Sequence, residues 1–320
     1  VMPYSSRYTR RKPSGYLSPK TLAALLCGAA LLTATACSQG GSASAQGSGK
    51  PKILAAFYPL EWISTRVGGT DVSVTGLTQP GVEPHDLELT PRQIADIEQA
   101  DLIVYIKGVQ PAVDEAVQEH AQDKAFDAAS TVTTLPATGE PEHQDAHEQV
   151  GYDPHIWLDP ARLATAVTEL GKKLGQVDGA HAAAYTSRAQ AAAGDLGALD
   201  KEFQQGLTTC RSHTIVTGHA AFGYLADRYK LKQVGISGID PESDPSPARL
   251  AEVAGVAKRE QVTTIFTEEL VSPKVAEVLA KEVGAKTAVL NPLESRPKTG
   301  DYLSAARANL ATLRTALGCS

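Results

Sequence analysis

Residues 181–207 read HAAAYTSRAQAAAGDLGALDKEFQQGL. The stretch is rich in Ala, Gln and Leu and contains no proline, so its residues favour a helix throughout. Its weak points are Gly194 and Gly197, with Gly206 near the end. We read one long helix, the alternative being two shorter helices broken at Gly194. At about 1.5 Å of rise per residue such a helix is long enough to act as a strut. What it would join is decided by the sequence on either side.

On the N-terminal side, residues 52–57 (KILAAF) and 102–106 (LIVYI) are short apolar runs, and residues 71–77 (DVSVTGL) alternate with period two. Between the last two, Thr90-Pro91-Arg92-Gln93 has a capping residue, a first-turn proline and a glutamine where a capping box places it. Strands alternating with helices at short spacing imply a parallel sheet with crossover connections. The C-terminal side repeats the scheme. Residues 214–217, 263–266 and 287–290 read as strands, and 220–229 as a helix with Phe222, Leu225, Ala226 and Tyr229 on one face. Ser246-Pro247 and Ser272-Pro273 read as helix starts, and Gly284 as a helix end. The expected fold is α/β: two similar lobes with parallel sheets, residues 52–180 and 208–320, joined by a single long rigid helix over 181–207.

Residues 1–36 have the pattern of a signal peptide. Arg7, Arg10, Arg11, Lys12 and Lys20 form a basic region without acids, and an apolar stretch over 21–36 ends in small residues. LTATAC, residues 32–37, resembles a bacterial lipobox, which makes Cys37 the expected lipidated residue, with plain secretion as the alternative. The following SQGGSASAQGSGKPK is a flexible tether, assigned to residues 37–51 with its anchor. Removing the five basic residues would take the net charge from −6 to −11, which argues against nucleic acid as a partner. Of the four cysteines, Cys27 would leave with the signal and Cys37 would carry lipid. Cys210 and Cys319 remain in an oxidising compartment, where a disulfide is expected, the alternative being two buried thiols.

Four residues concentrate the chemistry. His85 lies in GVEPHDLELTP, His155 in DPHIWLDP, His219 in TGHAAFGYLADRY and Glu294 in LNPLES. A lone histidine is more often structural than ligating. These three, however, are framed by Pro and Gly residues that fix backbone direction, at places where chains leave strands or cross a lobe. In open α/β sheets, ligands bind in the crevice beyond the carboxyl ends of the strands. Three imidazoles and a carboxylate converging there would make a tetrahedral N3O site suited to zinc.

EPHDLELTP, DPHIWLDP, HAAFGYLADRYKL with GISGIDPESDPSP behind it, and LNPLES together resemble the signature segments of bacterial zinc-binding solute-binding proteins. These are the lipoprotein or periplasmic components of zinc ABC importers, related to manganese-binding proteins of the same cluster. The resemblance runs from Lys52 to Cys319. It implies His85, His155 and His219 as metal ligands. Many relatives carry an aspartate where Asn291 stands here, so the fourth ligand is assigned to Glu294, with water, Asn291 itself or Glu268 as competing contacts. Glu83 stands where many relatives have aspartate and is a further candidate contact. Asp153 or Asp159 is expected to orient the imidazoles. Many manganese members have a carboxylate at the position of His219, so the resemblance implies Zn2+ as transported ligand, with a manganese- or iron-binding member as the alternative. His143 and His147, in EHQDAHE, match in type the longer His/acid-rich loop of zinc members and are secondary candidates, an ordinary solvated loop being the alternative.

The implied function is capture of zinc outside the cytoplasm by a monomer that is lipid-anchored to the cell membrane. Delivery would be to a membrane ABC permease with its ATPase. No catalysis is expected. Two other classes are a zinc hydrolase with Glu294 or Glu268 as base, and an adhesin or chaperone whose metal is only structural.

Overall fold

The structure is a computed structural model that describes residues 49–137 and 151–320. The signal segment, Cys37, His143 and His147 lie outside the described residues. The first lobe contains β1 (Lys52–Ala55), α1 (Tyr58–Gly68), β2 (Ser73–Gly76), α2 (Pro91–Gln99), β3 (Leu102–Tyr105), α3 (Pro111–His120) and β4 (Ala125–Asp127). Two helices follow, α4 (Pro160–Val177) and α5 (Ala182–Gly206). The second lobe contains β5 (Thr214–Thr217), α6 (Gly223–Tyr229), β6 (Lys232–Gly235), α7 (Pro247–Arg259), β7 (Thr264–Thr267), α8 (Lys274–Val283), β8 (Lys286–Val289) and α9 (Tyr302–Leu317).

Each lobe is a four-stranded sheet, ordered β2-β1-β3-β4 and β6-β5-β7-β8, and every strand pair is parallel. The orders are the same when the strands of each lobe are counted from its own start. In both, the chain reverses its direction across the sheet between the first and third strands, so β1/β3 and β5/β7 are the switch points where crevices open. The central strands β5 and β7 are buried along their whole length, as strands covered on both faces must be, whereas edge strand β8 is largely exposed.

Local signals explain several helix ends. Thr90 and Gln93 form the reciprocal capping box of α2, Ser246 caps α7 and Gly284 closes α8 in the left-handed conformation. Two starts differ from the sequence reading. Helix α8 begins at Lys274 after an uncapped Pro273, without Ser272 as its cap. Helix α6 begins at Gly223 instead of residue 220, because the preceding backbone is engaged elsewhere: Ala220 N–H donates to Gly238 O (2.7 Å), and His219 O accepts from Thr217 Oγ1 (2.6 Å). The short strands β4 (AFD) and β6 (KQVG) have no apolar run to announce them; both are edge strands.

Helix α5 is continuous over 25 residues, so neither Gly194 nor Gly197 breaks it. It buries Tyr185, Ala189, Ala192, Leu196, Leu199 and Phe203, a stripe at alternating spacings of four and three residues. Gly171 lets α4 approach closely, since a Cβ there would lie 2.6 Å from that of Ala189. Arg188 of α5 donates to the carbonyls of Val67 and Gly68 and to Asp71, closing the end of α1. Farther along, Asp200 pairs with Arg228 and Glu202 with Arg307, both in the second lobe. The main hydrophobic cluster crosses from one lobe to the other: Ile53, Leu60, Trp157, Leu170 and Leu196 belong to the same packed group as Phe222, Phe266, Tyr302 and Leu313. Cys210 and Cys319 form a disulfide that joins the start of the second lobe to the residues after α9.

Candidate metal centre

The four residues read as ligands come from four separate segments. His85 follows β2, Glu294 follows β8, His219 follows β5, and His155 lies in the segment between β4 and α4. Their donor atoms all lie within 4.8 Å of one another. His219 Nε2 and His155 Nε2 are 3.3 Å apart, and Glu294 Oε1 lies 3.6, 3.9 and 3.8 Å from Nε2 of His85, His155 and His219. Zinc bonds of about 2.0–2.1 Å in a tetrahedron require donors roughly 3.3 Å apart. These four separations equal or slightly exceed that edge, and the donor set as a whole, spread over up to 4.8 Å, would draw inward to complete the cage.

Burial makes this cluster chemically unusual. His155 and His219 are fully buried and Glu294 is 1% exposed. Neither carboxylate oxygen of Glu294, nor Nε2 of His85, has a hydrogen-bond partner among the described residues. An unpartnered buried carboxylate is costly, and such groups are normally paired or bound to a metal. The 3.6 Å approach of His85 to Glu294 is too long for a hydrogen bond, so their attraction is electrostatic. Burial pushes Glu294 up, but the surrounding imidazoles outweigh it and hold its carboxyl below the usual range. Burial lowers His155, against the pull of Asp153. Burial would also lower His219, but Glu268, with Glu294 and Glu83, raises it to about 9.

The competing contacts take other places. Glu268, directly after β7, accepts from the outer nitrogen of His219: Oε2 to Nδ1 is 2.7 Å, and Oε1 receives His219 N–H at 2.9 Å. It therefore faces the far side of the imidazole, away from Glu294. This pair sits at the switch point between β5 and β7. Asn291 is not in the cluster either. Its Oδ1 accepts Leu293 N–H at 2.7 Å and its Nδ2 donates to Glu269 at 3.1 Å. The bond to Leu293 braces a buried residue with a left-handed backbone, φ 61°, directly before buried Glu294. Glu83 accepts the backbone N–H of His85 at 3.3 Å. Burial, and then Glu294, push its carboxyl up to about 8.

Of the two aspartates expected to orient imidazoles, only Asp153 contacts one, with Oδ1 2.8 Å from Nδ1 of His155. Asp159 instead caps α4 through Ala161 N–H and pairs with Arg162. The capping role was legible in Asp159-Pro160, a cap followed by a first-turn proline. The sequence reading missed Trp157, whose ring lies 5.0 Å from that of His155 and whose Nε1 donates to Pro292 O at 2.7 Å. The indole thus ties the segment before α4 to the loop that carries Glu294. Gly81 N–H donates to Ser295 Oγ at 2.8 Å and ties the His85 loop to the same place.

Comparison with known proteins places the chain among zinc-uptake proteins. The family described as zinc-uptake complex component A, periplasmic, matches residues 53–316. The zinc-binding lipoprotein AdcA of Streptococcus pneumoniae is 35% identical over 307 residues, which cover 92% of this chain and 60% of AdcA. The chain thus spans about three fifths of the length of that relative. The high-affinity zinc uptake system protein ZnuA of Bacillus subtilis is 35% identical over 289 residues, covering 87% of this chain and 90% of ZnuA. Among solved structures, the laminin-binding protein Lmb of Streptococcus agalactiae, described as an adhesin with metal-transporting activity, superposes with a TM-score of 0.76. It is 35% identical and covers 84% of this chain and 100% of Lmb. A family match over nearly the whole described region, on two parallel-sheet lobes with a three-histidine, one-glutamate cluster between them, makes this chain a member of the periplasmic zinc-uptake component A family.

Proposed function

We propose that the protein captures one zinc ion outside the cytoplasm, between its lobes, and hands it to a membrane ABC permease driven by its ATPase. His85, His155, His219 and Glu294 are the ligands in this reading. One observation carries it: Glu294 is buried, without a hydrogen-bond partner among the described residues, within 4 Å of three imidazole nitrogens. Three nitrogens and one oxygen favour zinc over the harder manganese ion. Four protein ligands leave no position for a reactive water, so the site binds and does not catalyse. A hydrophobic core that runs through both lobes is large enough to fold the chain by itself, so in this reading zinc is a cargo and not a folding requirement. Cys37 anchors the protein to the outer face of the membrane by lipid, and one copy suffices for the site.

Calorimetric titration of the metal-stripped protein with zinc and then manganese tests the reading. A single tight zinc site is expected, with manganese far weaker and affinity lowered more than about 100-fold in His219→Ala, since loss of an orienting partner alone costs 10–100-fold. Manganese binding as tight as zinc would overturn it.

A further inference from the structure

Gly218 and Gly223 bracket the segment that carries His219, and neither has the positive φ that would require glycine. Room explains them instead. A Cβ on Gly218 would lie 2.5 Å from Glu268 Oε1, and a Cβ on Gly223 would lie 2.4 Å from Asp153 Oδ2. Both distances are far inside contact. The two carboxylates so accommodated are the two that hold histidines by the nitrogen facing away from the cluster.

The arrangement occurs twice, from unrelated parts of the chain. Glu268 accepts both Nδ1 and the backbone N–H of His219, at 2.7 and 2.9 Å. Asp153 accepts both Nδ1 and the backbone N–H of His155, at 2.8 and 2.9 Å. Each carboxylate therefore fixes a ring and the backbone that bears it. Asp153 is 1% and Glu268 7% exposed, so solvent does not compete for either contact. An imidazole that donates its Nδ1 proton to a carboxylate presents the Nε2 lone pair to a metal, in a fixed direction and with increased basicity. In both cases Nε2 is the nitrogen that faces Glu294.

We propose that Asp153 and Glu268 are positioning residues of the zinc site, and that Gly223 and Gly218 are the sockets that admit them. The proposal rests on the reading that His155 and His219 bind zinc. An alanine at either glycine would act on the metal indirectly, by pushing a carboxylate off its histidine. An isosteric amide would keep the shape but remove the charge. If it turned its NH2 toward Nδ1, it would move the ring proton to Nε2 and block the lone pair.

The test measures zinc affinity by chelator competition on the metal-stripped full chain. The variants are Glu268→Gln, Asp153→Asn, Gly218→Ala, and Gly218→Ala combined with Glu268→Gln. Each amide variant should lose about 10–100-fold in affinity. Gly218→Ala should lose a similar factor, and the double variant should lose much less than the product of the two, because both changes remove the same contact. In the zinc-loaded protein, the Nδ1–H proton resonance of His219 should move upfield in Glu268→Gln, a shift that loss of packing elsewhere would not produce. If Gly218→Ala fails to fold, the two amide variants carry the test. Amide variants that bind zinc within about twofold of the wild type, or losses that multiply in the double variant, would overturn the proposal. A wild type that takes no zinc would instead overturn the functional reading on which it rests.

Discussion

Glu294 sets the chemistry at the scale of single residues, because its negative charge is buried among imidazoles and shared with no hydrogen-bond donor among the described residues. The metal-free protein offsets this with protons. His219 is raised from its ordinary 6.5 to about 9 and Glu83 from 4.5 to about 8, so both hold protons in the fold that the unfolded chain releases. Their stabilising contributions are fully present below their unfolded values and are lost as pH rises through the folded ones. Lowered His155 acts in the opposite sense, but only as pH falls through about 6.5, its ordinary value. Between pH 7 and 9 the metal-free protein should therefore lose thermal stability, while the increase in Tm on adding zinc should grow, since zinc replaces the proton on His219. Melting curves with and without zinc across that range check it; a metal-free Tm that rises toward pH 9 would contradict it. The convergence of the histidines was legible in the sequence because Pro and Gly frame each of them. The place of Glu268 was not, because its bond to His219 spans 49 residues and depends on the pairing of β5 with β7.

Among the elements, α5 tests how local preference yields to packing. Gly194 and Gly197 are helical and nothing lies within 4 Å of a Cβ added to either. They weaken the helix without serving a contact, so Gly194→Ala and Gly197→Ala should each stabilise the protein by about 0.5–1 kcal/mol. Denaturant titration would show this, with zinc affinity unchanged. The helix survives its glycines because tertiary contacts hold it at Tyr185, Leu196 and Phe203, a stripe readable from spacing alone. Helix α6 shows the reverse: its apolar face was readable, but the hydrogen bonds that delay its start to Gly223 come from Gly238 and Thr217. The disulfide belongs to this scale too. Cys210 and Cys319 are 109 residues apart, so replacing both with serine should cost about 2–4 kcal/mol, mostly by freeing the unfolded chain. The loss should appear in denaturant melts and leave zinc affinity intact, as the bond ties α9 to the start of the second lobe and not to the site.

Across the whole molecule, the lobes are joined by more than α5. Trp157 reaches Pro292, Tyr302 donates to Trp157 O, Tyr224 donates to Asp153 O, Arg296 pairs with Glu61, and Gly81 bonds to Ser295. These contacts surround the same apolar cluster that runs through both lobes. Opening the lobes would break most of them together, so in the proposed reading zinc should enter and leave through loop movement. The radius of gyration from small-angle scattering should be the same with and without zinc; a clear compaction on loading would refute this. The two-lobe architecture was legible from alternating strands and helices on either side of residues 181–207. The stitching was not, because each link joins residues far apart in sequence that no local pattern pairs.

If the protein delivers zinc to a permease as proposed, a carrier that keeps one outline whether empty or full cannot advertise its load by shape. Empty copies would present nearly the same face to a transporter as loaded ones and would compete for it. Uptake should then pass through a maximum as carrier outnumbers zinc, and a surplus of idle carriers would slow the traffic they exist to supply.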